Sequence, residues 1–240
     1  MQLKHKDIMK NVVVLGDSIS RGIVLKGERY SILRDGFVDQ CAEALHLNVQ
    51  NFSKMGCTIA KGEQILRQHE EEVAKANITV LEYGGNDSDF FWKEIADNPA
   101  MVHLPKTGLK QFHDTYTELI RRVRCLGSKP VLFSLPLMDG QRFFDFTTRR
   151  MSPAEQGHVL SWLGGQIERI RNYHDMYNLE VFHIAREQGV PVVDITTPFL
   201  GNQDYTRYLC ADGIHPSEEG HCLIARRVID CWQHSQFSNV

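Results

Sequence analysis

Five short apolar runs, separated by segments with helical periodicity, constrain the fold of this chain more than any other feature. The runs cover residues 11–15, 47–52, 78–83, 131–135 and 190–195. Most of them are rich in valine and isoleucine, whose branched side chains are typical of strands. Strands that alternate with helices predict a parallel sheet covered by helices on both faces, with ligands bound at the carboxyl ends of the strands.

The helices between these strands are predicted from apolar residues that recur three or four positions apart. This spacing occurs in residues 37–45, 61–76 and 112–123. Ser217 is predicted to cap a last helix, whose inner side includes His221. The chain therefore predicts a regular alternation of strands and helices up to its C-terminal part.

A long connection, residues 136–189, separates the fourth and fifth predicted strands. Apolar residues from Trp162 to Tyr177 recur at near-helical intervals, so this connection is predicted to be mostly helical. Gly164 and Gly165 are expected to kink or interrupt the helix. We expect one domain, residues 1–240, that carries the connection as an insertion.

Charge and composition disfavour several classes of partner. The 240 residues have a formal net charge of -3 at pH 7, which predicts no basic surface for nucleic acid or anionic lipid. Residues 1–10 are polar and the apolar run 12–15 is too short for a signal-peptide core or a membrane span, so we expect a soluble, cytoplasmic protein. The six cysteines, including Cys57 and Cys210, have no C-x-x-C spacing and are expected to be reduced thiols.

Four polar segments that contain glycine follow predicted strands. Three of them come directly after the first, second and third strands, and the fourth lies between the fifth strand and the last helix. They are Gly16-Asp17-Ser18, Lys54-Met55-Gly56, Gly84-Gly85-Asn86-Asp87 and Asp212-Gly213-Ile214-His215-Pro216. Because the carboxyl ends of parallel strands meet at one edge of a sheet, we expect these segments to share one rim. Acyl transfer from an ester needs a nucleophile, a base, a group that orients the base, and donors for the oxyanion. This rim contains a candidate for each.

Ser18 is the predicted nucleophile, because it follows a tight glycine turn at the expected start of a helix, where the helix dipole favours negative charge. His215 is the predicted base, since neutral imidazole titrates near physiological pH. Asp212, three residues earlier, would hold the other ring nitrogen of His215. The main-chain amides of Ser18 and Gly56 and the side-chain amide of Asn86 are predicted to form the oxyanion hole.

These four segments, in this order, resemble the four signature blocks of the SGNH (GDSL-like) hydrolases. The resemblance extends from Gly16 to His215. It implies serine-dependent ester hydrolysis on a flavodoxin-like, three-layer α/β/α fold with a five-stranded parallel sheet, and the roles given above. No cofactor or metal would be required. Two departures are Ile19, where the family's nickname has leucine, and the second glycine after the third strand, so that Gly84 is taken as the motif glycine.

Other interpretations remain open at this point. Each segment alone would also serve as a turn or cap, with Ser18 as a helix N-cap and His215 as a surface residue. A flavodoxin-like phosphate-binding module is disfavoured by Asp17, which would repel an anion, and a metallophosphoesterase by the lack of further ligands. A conventional α/β-hydrolase is disfavoured because no G-x-S-x-G occurs. An acyltransferase, lysophospholipase or thioesterase would use the same site.

The expected substrate is a small-molecule ester with a short acyl group, such as an O-acetyl group of a carbohydrate or small metabolite, because no long apolar segment predicts a lipid-facing surface. An aromatic and basic cluster follows the fourth strand. It would form either a lid or subsite that binds sugar rings or an acidic group, or a packing surface. In the second case, residues 139–162 would form the contact of a homo-oligomer. The cluster comprises Arg142, Phe143, Phe144, Phe146, Arg149 and Arg150. Phe90, Phe91 and Trp92 would wall the acyl pocket or pack in the core.

Overall fold

A computed structural model describes residues 9–234; residues 1–8, part of the polar N-terminal segment, and residues 235–240 lie outside the described residues. The main sheet comprises β1 (Asn11–Gly16), β4 (Asn48–Asn51), β5 (Ile78–Glu82), β6 (Lys129–Phe133) and β7 (Val192–Val193). These five strands are all parallel and lie in the order β4-β1-β5-β6-β7. This is the flavodoxin-like strand order, and it confirms the predicted fold class.

Helices pack on both faces of this sheet. In chain order they are α1 (Phe37–Ala44), α2 (Ile59–Gln68), α3 (Glu70–Lys75), α4 (Trp92–Asp97), α5 (Leu109–Cys125), α6 (Gly140–Thr148), α7 (Pro153–Trp162), α8 (Glu168–Gln188), α9 (Thr197–Leu200) and α10 (Glu218–Gln233). A turn of 3-10 helix at Tyr205–Tyr208 precedes α10. Among residues 9–234, no helix is both long and apolar enough to cross a membrane.

The first strand shows how the apolar runs build two cores. Successive side chains of a strand point to opposite faces. Val13 and Leu15 belong to a buried cluster that contains residues of α2, α5 and α8, whereas Val12 and Val14 belong to a second cluster with residues of α1 and α10. Because both faces of this strand are apolar, each face is covered by helices, and the fold has three layers. A third, aromatic cluster is formed by α4, α6, α7 and α8.

An antiparallel hairpin, β2 (Ile23–Lys26) and β3 (Arg29–Ile32), is a feature that the apolar pattern does not predict. All four residues of β3 are exposed, so the strand lacks the alternation that marks a half-buried strand. The turn between the two strands depends on Gly27, whose φ of 62° favours glycine. Helix α4 is a second element that was not expected from the sequence pattern.

Two predicted elements are wrong in their bounds, and the long connection agrees with its prediction. The segment 61–76 forms two helices, because the chain leaves the helical conformation at His69, where φ is -124° and ψ is 28°. The connection 136–189 is mostly helical, as predicted, and Gly164 and Gly165, with φ of 66° and 76°, interrupt it between α7 and α8. The run 190–195 contributes only two residues to the sheet, Val192 and Val193, which pair with the end of β6.

His221 on α10 gives the fold a pH-dependent stability. Its fully buried ring stacks on Phe37 of α1, with 5.9 Å between ring centroids, and its Nδ1 accepts the Phe37 N–H at 3.4 Å. Burial lowers the pKa of His221 from 6.5 to about 4. The unfolded chain therefore binds this proton more tightly, and the contribution to stability is complete above pH 6.5 and lost as the pH falls towards 4.

We expect replacement of His221 with glutamine to weaken this pH dependence. Glutamine can still accept the Phe37 N–H but does not titrate, so the wild type should lose about 2 kcal/mol more than the variant between neutral pH and pH 5, and up to about 3 kcal/mol more below pH 4. Urea unfolding of both proteins at neutral pH and at about pH 5 measures this difference. Equal losses in the two proteins would contradict the assignment.

Candidate active site

Ser18 lies in a turn directly after β1. Residues 18–22 form turns and α1 begins only at Phe37, so the prediction that Ser18 starts a helix is wrong, and no helix dipole acts on it. The local backbone is held instead by a side chain, because the Ile19 N–H donates to the Asp17 carboxylate at 2.8 Å. A short polar residue accepting from the backbone two positions later is a common way to stabilise such a turn.

The structure brings the predicted nucleophile, base and orienting carboxylate together. His215 Nε2 lies 2.9 Å from Ser18 Oγ, and His215 Nδ1 lies 2.7 Å from Asp212 Oδ2. All three side chains are buried, with residue exposures of 6% for Ser18, 7% for His215 and 1% for Asp212. Both distances are within hydrogen-bond range, so a proton can pass from the hydroxyl to the imidazole while the carboxylate fixes the ring.

Asp212 is held as a charged acceptor by its own turn. Its Oδ1 accepts the main-chain N–H groups of Ile214 at 3.2 Å and His215 at 3.1 Å. Burial alone would raise the pKa of Asp212, but the hydrogen bond and charge of His215, together with these amides, hold it below its ordinary value. The turn needs Gly213, whose φ is 72° and whose added Cβ would lie 2.6 Å from the Asp139 carbonyl.

Tyr30 is a residue of the site that sequence reasoning missed. It reaches the site from the exposed strand β3, and its ring centroid lies 5.1 Å from that of His215. Burial and the neighbouring Asp212 carboxylate raise the pKa of the Tyr30 phenol, which therefore stays neutral. No pattern in the sequence places this hairpin over the imidazole.

The predicted oxyanion donors are only partly brought together. Asn86 lines the same cavity as Ser18, and its Nδ2 donates one hydrogen to Asp17 Oδ2 at 2.8 Å, which leaves the second hydrogen free. Among residues 9–234, no hydrogen bond uses the main-chain amide of Ser18. Gly56 is exposed, has a φ of 69° and does not line this cavity. Its role as an oxyanion donor therefore stays a prediction.

Replacement of Asn86 with alanine is expected to lower kcat by about 10²- to 10³-fold with a smaller change in KM, because the amide would act on charge that develops in the transition state. Steady-state kinetics with a chromogenic acetate ester measures both constants. Asn172→Ala, at an exposed position of α8, is the matched control and should change neither. A pure KM effect in the Asn86 variant would contradict the oxyanion role.

Glu82, at the end of β5, is a second residue that sequence reasoning missed. It is fully buried, and its Oε2 accepts the Asp17 N–H at 3.3 Å and the Ser20 hydroxyl at 3.0 Å, while Oε1 has no partner. An added Cβ at Gly16 would lie 3.0 Å from Oε2, so glycine leaves room for this carboxyl. Burial and the adjacent Asp17 carboxyl raise the pKa of Glu82 well above its ordinary value, which favours its neutral form. The signal in the sequence that could have identified Glu82 is the presence of a glutamate within the apolar run 78–83.

We expect Glu82→Gln to keep its activity and its stability to within about 1 kcal/mol, since a carboxamide resembles a neutral carboxyl group in shape and hydrogen bonding. Glu82→Ala should lose about 2–4 kcal/mol, because it removes a buried acceptor and leaves a void. Chemical denaturation and ester kinetics of the two variants provide the test. Equal damage by glutamine and alanine would show that the carboxylate charge is needed.

The site opens into a cavity of about 360 Å³, near the lower limit of typical small-molecule sites, which is about 300 Å³. Ser18, His215 and Asn86 lie in its wall. Aromatic, basic and imidazole side chains from the hairpin, from α4, from α6 with the residue that follows it, and from α8 form another part of the wall. These residues include Tyr30, Trp92, Phe143, Phe146, Arg149 and His174. The long connection 136–189 therefore supplies a large part of the cavity.

The aromatic and basic cluster divides between this cavity and the packing around it. Phe143, Phe146 and Arg149 line the cavity, whereas Phe144 is buried in the third core cluster. The Arg142 guanidinium donates to the Thr206 carbonyl at 2.8 Å and so ties α6 to the turn before α10. Arg150 is exposed, and a homo-oligomer contact through residues 139–162 stays a prediction.

Phe90, Phe91 and Trp92, which follow the segment Gly84-Gly85-Asn86-Asp87, lie in different environments. Trp92 lines the cavity, Phe90 packs in the third core cluster and Phe91 is exposed.

Cys57 and Cys210 are free and buried, and burial raises the pKa of both thiols, that of Cys57 to about 12. Protonated thiols are poor nucleophiles, which favours a packing role for both cysteines.

Comparison with known families decides the class of this protein. The model of the GDSL-like lipase/acylhydrolase family matches residues 14–223. The chain belongs to this family. It is a GDSL/SGNH hydrolase and an enzyme of the esterase and acylhydrolase type, as the motifs predicted. No curated protein sequence matches the chain significantly.

Solved structures of this family share the fold. A lipase/acylhydrolase from Enterococcus faecalis is 18% identical, with a TM-score of 0.67 over 94% of this chain and 96% of that one. An acetylxylan esterase from Geobacillus stearothermophilus is 22% identical, with a TM-score of 0.61 over 92% of this chain and 93% of that one. A G-D-S-L family lipolytic protein from Veillonella parvula is 16% identical, with a TM-score of 0.60 over 93% and 98%. At these identities, the similarity concerns the fold and leaves the substrate open.

Metal chemistry has no ready ligand set in the part of the chain that the structure describes. Within residues 9–234, no group of three or more His, Cys, Asp or Glu side chains is arranged to hold a metal ion. Asp87, which a metallophosphoesterase would use as a ligand, instead accepts the Ile59 N–H at the start of α2, at 3.0 and 3.1 Å. Burial raises the pKa of Asp87 to about 6. This geometry gives Asp87 a structural role at the start of α2.

Proposed function

We propose that this enzyme hydrolyses short acyl esters through an acyl-enzyme on Ser18, with His215 as base, Asp212 as orienting carboxylate, and Ser18, Gly56 and Asn86 as oxyanion donors. The observation that carries the proposal is the hydrogen-bonded series from Ser18 Oγ through His215 to Asp212 at the wall of a small cavity. This arrangement contains the nucleophile, base and orienting group of a serine hydrolase.

The first half of the reaction forms the acyl-enzyme. Ser18 Oγ attacks the ester carbonyl carbon while its proton moves to His215 Nε2, and the carbonyl oxygen becomes an oxyanion near Asn86. The Asp212 carboxylate stabilises the resulting imidazolium. When the intermediate collapses, the bond to the alcohol oxygen breaks and His215 returns the proton to that oxygen. The alcohol leaves, and the acyl group remains on Ser18.

The second half releases the acid. Water takes the place of the alcohol, gives a proton to His215 Nε2 and attacks the acyl carbon. Collapse of this second intermediate breaks the bond to Ser18 Oγ, which recovers its proton from His215. No step in this cycle needs a metal or an organic cofactor. An alcohol in place of water would give acyl transfer, which is the alternative activity of the same site.

The substrate we favour is an O-acetyl or similarly short ester of a carbohydrate or small metabolite. A cavity of about 360 Å³ suits a small molecule better than a long acyl chain. Aromatic walls such as Trp92 and Phe146 suit the apolar faces of sugar rings. One structural neighbour is an acetylxylan esterase, which supports this class without specifying it. A cytoplasmic location without nucleic-acid or membrane partners belongs to the same proposal.

A panel of esters with one alcohol and acyl groups of increasing length tests the proposal. We expect kcat/KM to be highest for acetyl and to fall as the chain grows, since the small cavity excludes longer groups. A maximum at long acyl chains would favour the lysophospholipase or thioesterase alternative. Product analysis with competing alcohols then separates hydrolysis from acyl transfer, because only a transferase would give a new ester as its main product.

A further inference from the structure

The cavity wall carries one cation whose charge is not balanced. Arg149, directly after α6, is the only Lys or Arg side chain that lines the cavity among the described residues, and it makes no ion pair within residues 9–234. The same wall contains four carboxyl groups. Asp89 pairs with Lys106 at 2.7 Å and Asp212 with His215 at 2.7 Å. Asp17, next to Ser18 in the chain, and Glu82, which accepts the Asp17 N–H, also accept hydrogen bonds from Asn86 and Ser20 respectively, and they make no ion pair with a Lys or Arg of residues 9–234. Among the described residues, Arg149 is therefore the Lys or Arg side chain of this wall that is free to pair with an anionic group of a ligand.

The Arg149 guanidinium is held in place on an aromatic surface. Its central carbon lies 3.6 Å from the centroid of the Phe146 ring, and one of its N–H groups donates to the Phe146 carbonyl. Phe146 packs edge-on against Tyr30 at 6.3 Å, and Tyr30 packs against His215 at 5.1 Å. These contacts place the guanidinium on the same wall as the imidazole, and because Arg149 is exposed its remaining donors are available.

A second polar group in this wall lacks a partner. His174 on α8 is 2% exposed and lines the cavity, and its Nδ1 has no hydrogen-bond partner within residues 9–234. Its Nδ1 lies 3.8 Å from the Asp175 carboxylate, which is too long for a hydrogen bond. A buried ring nitrogen without a hydrogen bond costs free energy, which a polar group of a ligand would recover.

We propose that the cavity selects esters that carry a carboxylate or phosphate remote from the scissile carbonyl, with Arg149 as the anion-binding residue and His174 as a second polar contact. This inference rests on the proposed ester hydrolysis at Ser18. A planar guanidinium matches the two oxygens of a carboxylate or phosphate group. The substrate class is therefore O-acylated hydroxy acids or O-acylated phosphate monoesters.

Three acetate esters of similar shape test this selectivity. They are meta-acetoxybenzoate, meta-acetoxyphenyl phosphate and the neutral meta-acetoxybenzamide. For the wild type, we expect at least one anion to have a KM lower than that of the amide by on the order of tenfold. The anion with the lower KM identifies which of the two groups the site prefers. Equal KM values for all three esters would overturn the proposal.

Variants at two adjacent arginines locate the effect. Arg149→Met keeps the apolar stem and should raise the KM of the preferred anion about tenfold, while the amide changes by less than about twofold. Arg149→Lys should retain part of the preference, since lysine supplies charge without the planar fork. Arg150→Met is the matched control, because Arg150 is exposed and lies outside the cavity wall. A uniform loss on all three esters, or the same shift in Arg150→Met, would refute the role of Arg149.

Binding measurements keep this inference separate from the proposed chemistry. Titration calorimetry with meta-hydroxybenzoate and with phenyl phosphate requires no turnover, and Arg149→Met should weaken the binding of one of them about tenfold. If Ser18 resists a fluorophosphonate and no ester is cleaved, the proposed function fails, yet this titration still decides the anion site. If esters are cleaved but neither anion binds more weakly to the variant, the anion site alone is wrong.

Discussion

Replacement of Ser18 with alanine is expected to lower kcat/KM for ester hydrolysis by about 10⁴- to 10⁶-fold and to abolish covalent labelling by a fluorophosphonate. The acyl-enzyme cannot form without the hydroxyl, which lies 2.9 Å from His215 Nε2. The oxyanion donors and the cavity would remain, so a small residual rate over the uncatalysed reaction is expected. The fold should be retained, because the Ile19 N–H and the Asp17 carboxylate fix this turn without the Ser18 hydroxyl.

Ser161→Ala is the control for this experiment. Ser161 is exposed on α7, so its variant should be labelled and active like the wild type. Mass spectrometry of the labelled wild type should place the adduct on the peptide that contains Ser18. An adduct on another serine, or a Ser18 variant with undiminished activity, would show that the nucleophile has been wrongly chosen.

The sheet explains why much of the site could be predicted. β1 lies between β4 and β5, so the segments after these three strands must meet at one edge, and this brings Ser18 and Asn86 to one cavity. His215 lies 197 positions after Ser18 and comes to it because α10 packs with α1 in the same core cluster. The spacing of apolar residues predicts a sheet between two layers of helices. The order of the four polar segments along the chain then assigns each segment to the end of a strand.

The remaining features depend on tertiary contacts that local patterns do not encode. Tyr30 belongs to an exposed strand without alternation, and only the folded chain places it beside His215. The raised pKa of Glu82 results from its burial next to Asp17, which no sequence motif reports. The helix expected at Ser18 was wrong because the side chain of Asp17 stabilises a turn there.

Replacement of Asp212 with asparagine is expected to lower kcat by about 10⁴-fold while leaving the fold intact. The asparagine oxygen should take the place of Oδ1, which accepts the N–H groups of Ile214 and His215 at 3.2 and 3.1 Å. Its NH₂ group would then face His215 Nδ1 and require that nitrogen to accept a hydrogen bond. The ring proton would move to Nε2, which could no longer take the proton of Ser18.

Two measurements distinguish this tautomer effect from a loss of structure. The Nδ1 proton of His215, hydrogen-bonded to Asp212 at 2.7 Å in the wild type, should give a downfield proton resonance that is missing in the variant. Asp230→Asn, at an exposed position of α10, should keep both the resonance and the activity. An Asp212 variant that loses the resonance but keeps kcat within about tenfold would contradict the orienting role, because the wrong tautomer should block proton transfer from Ser18.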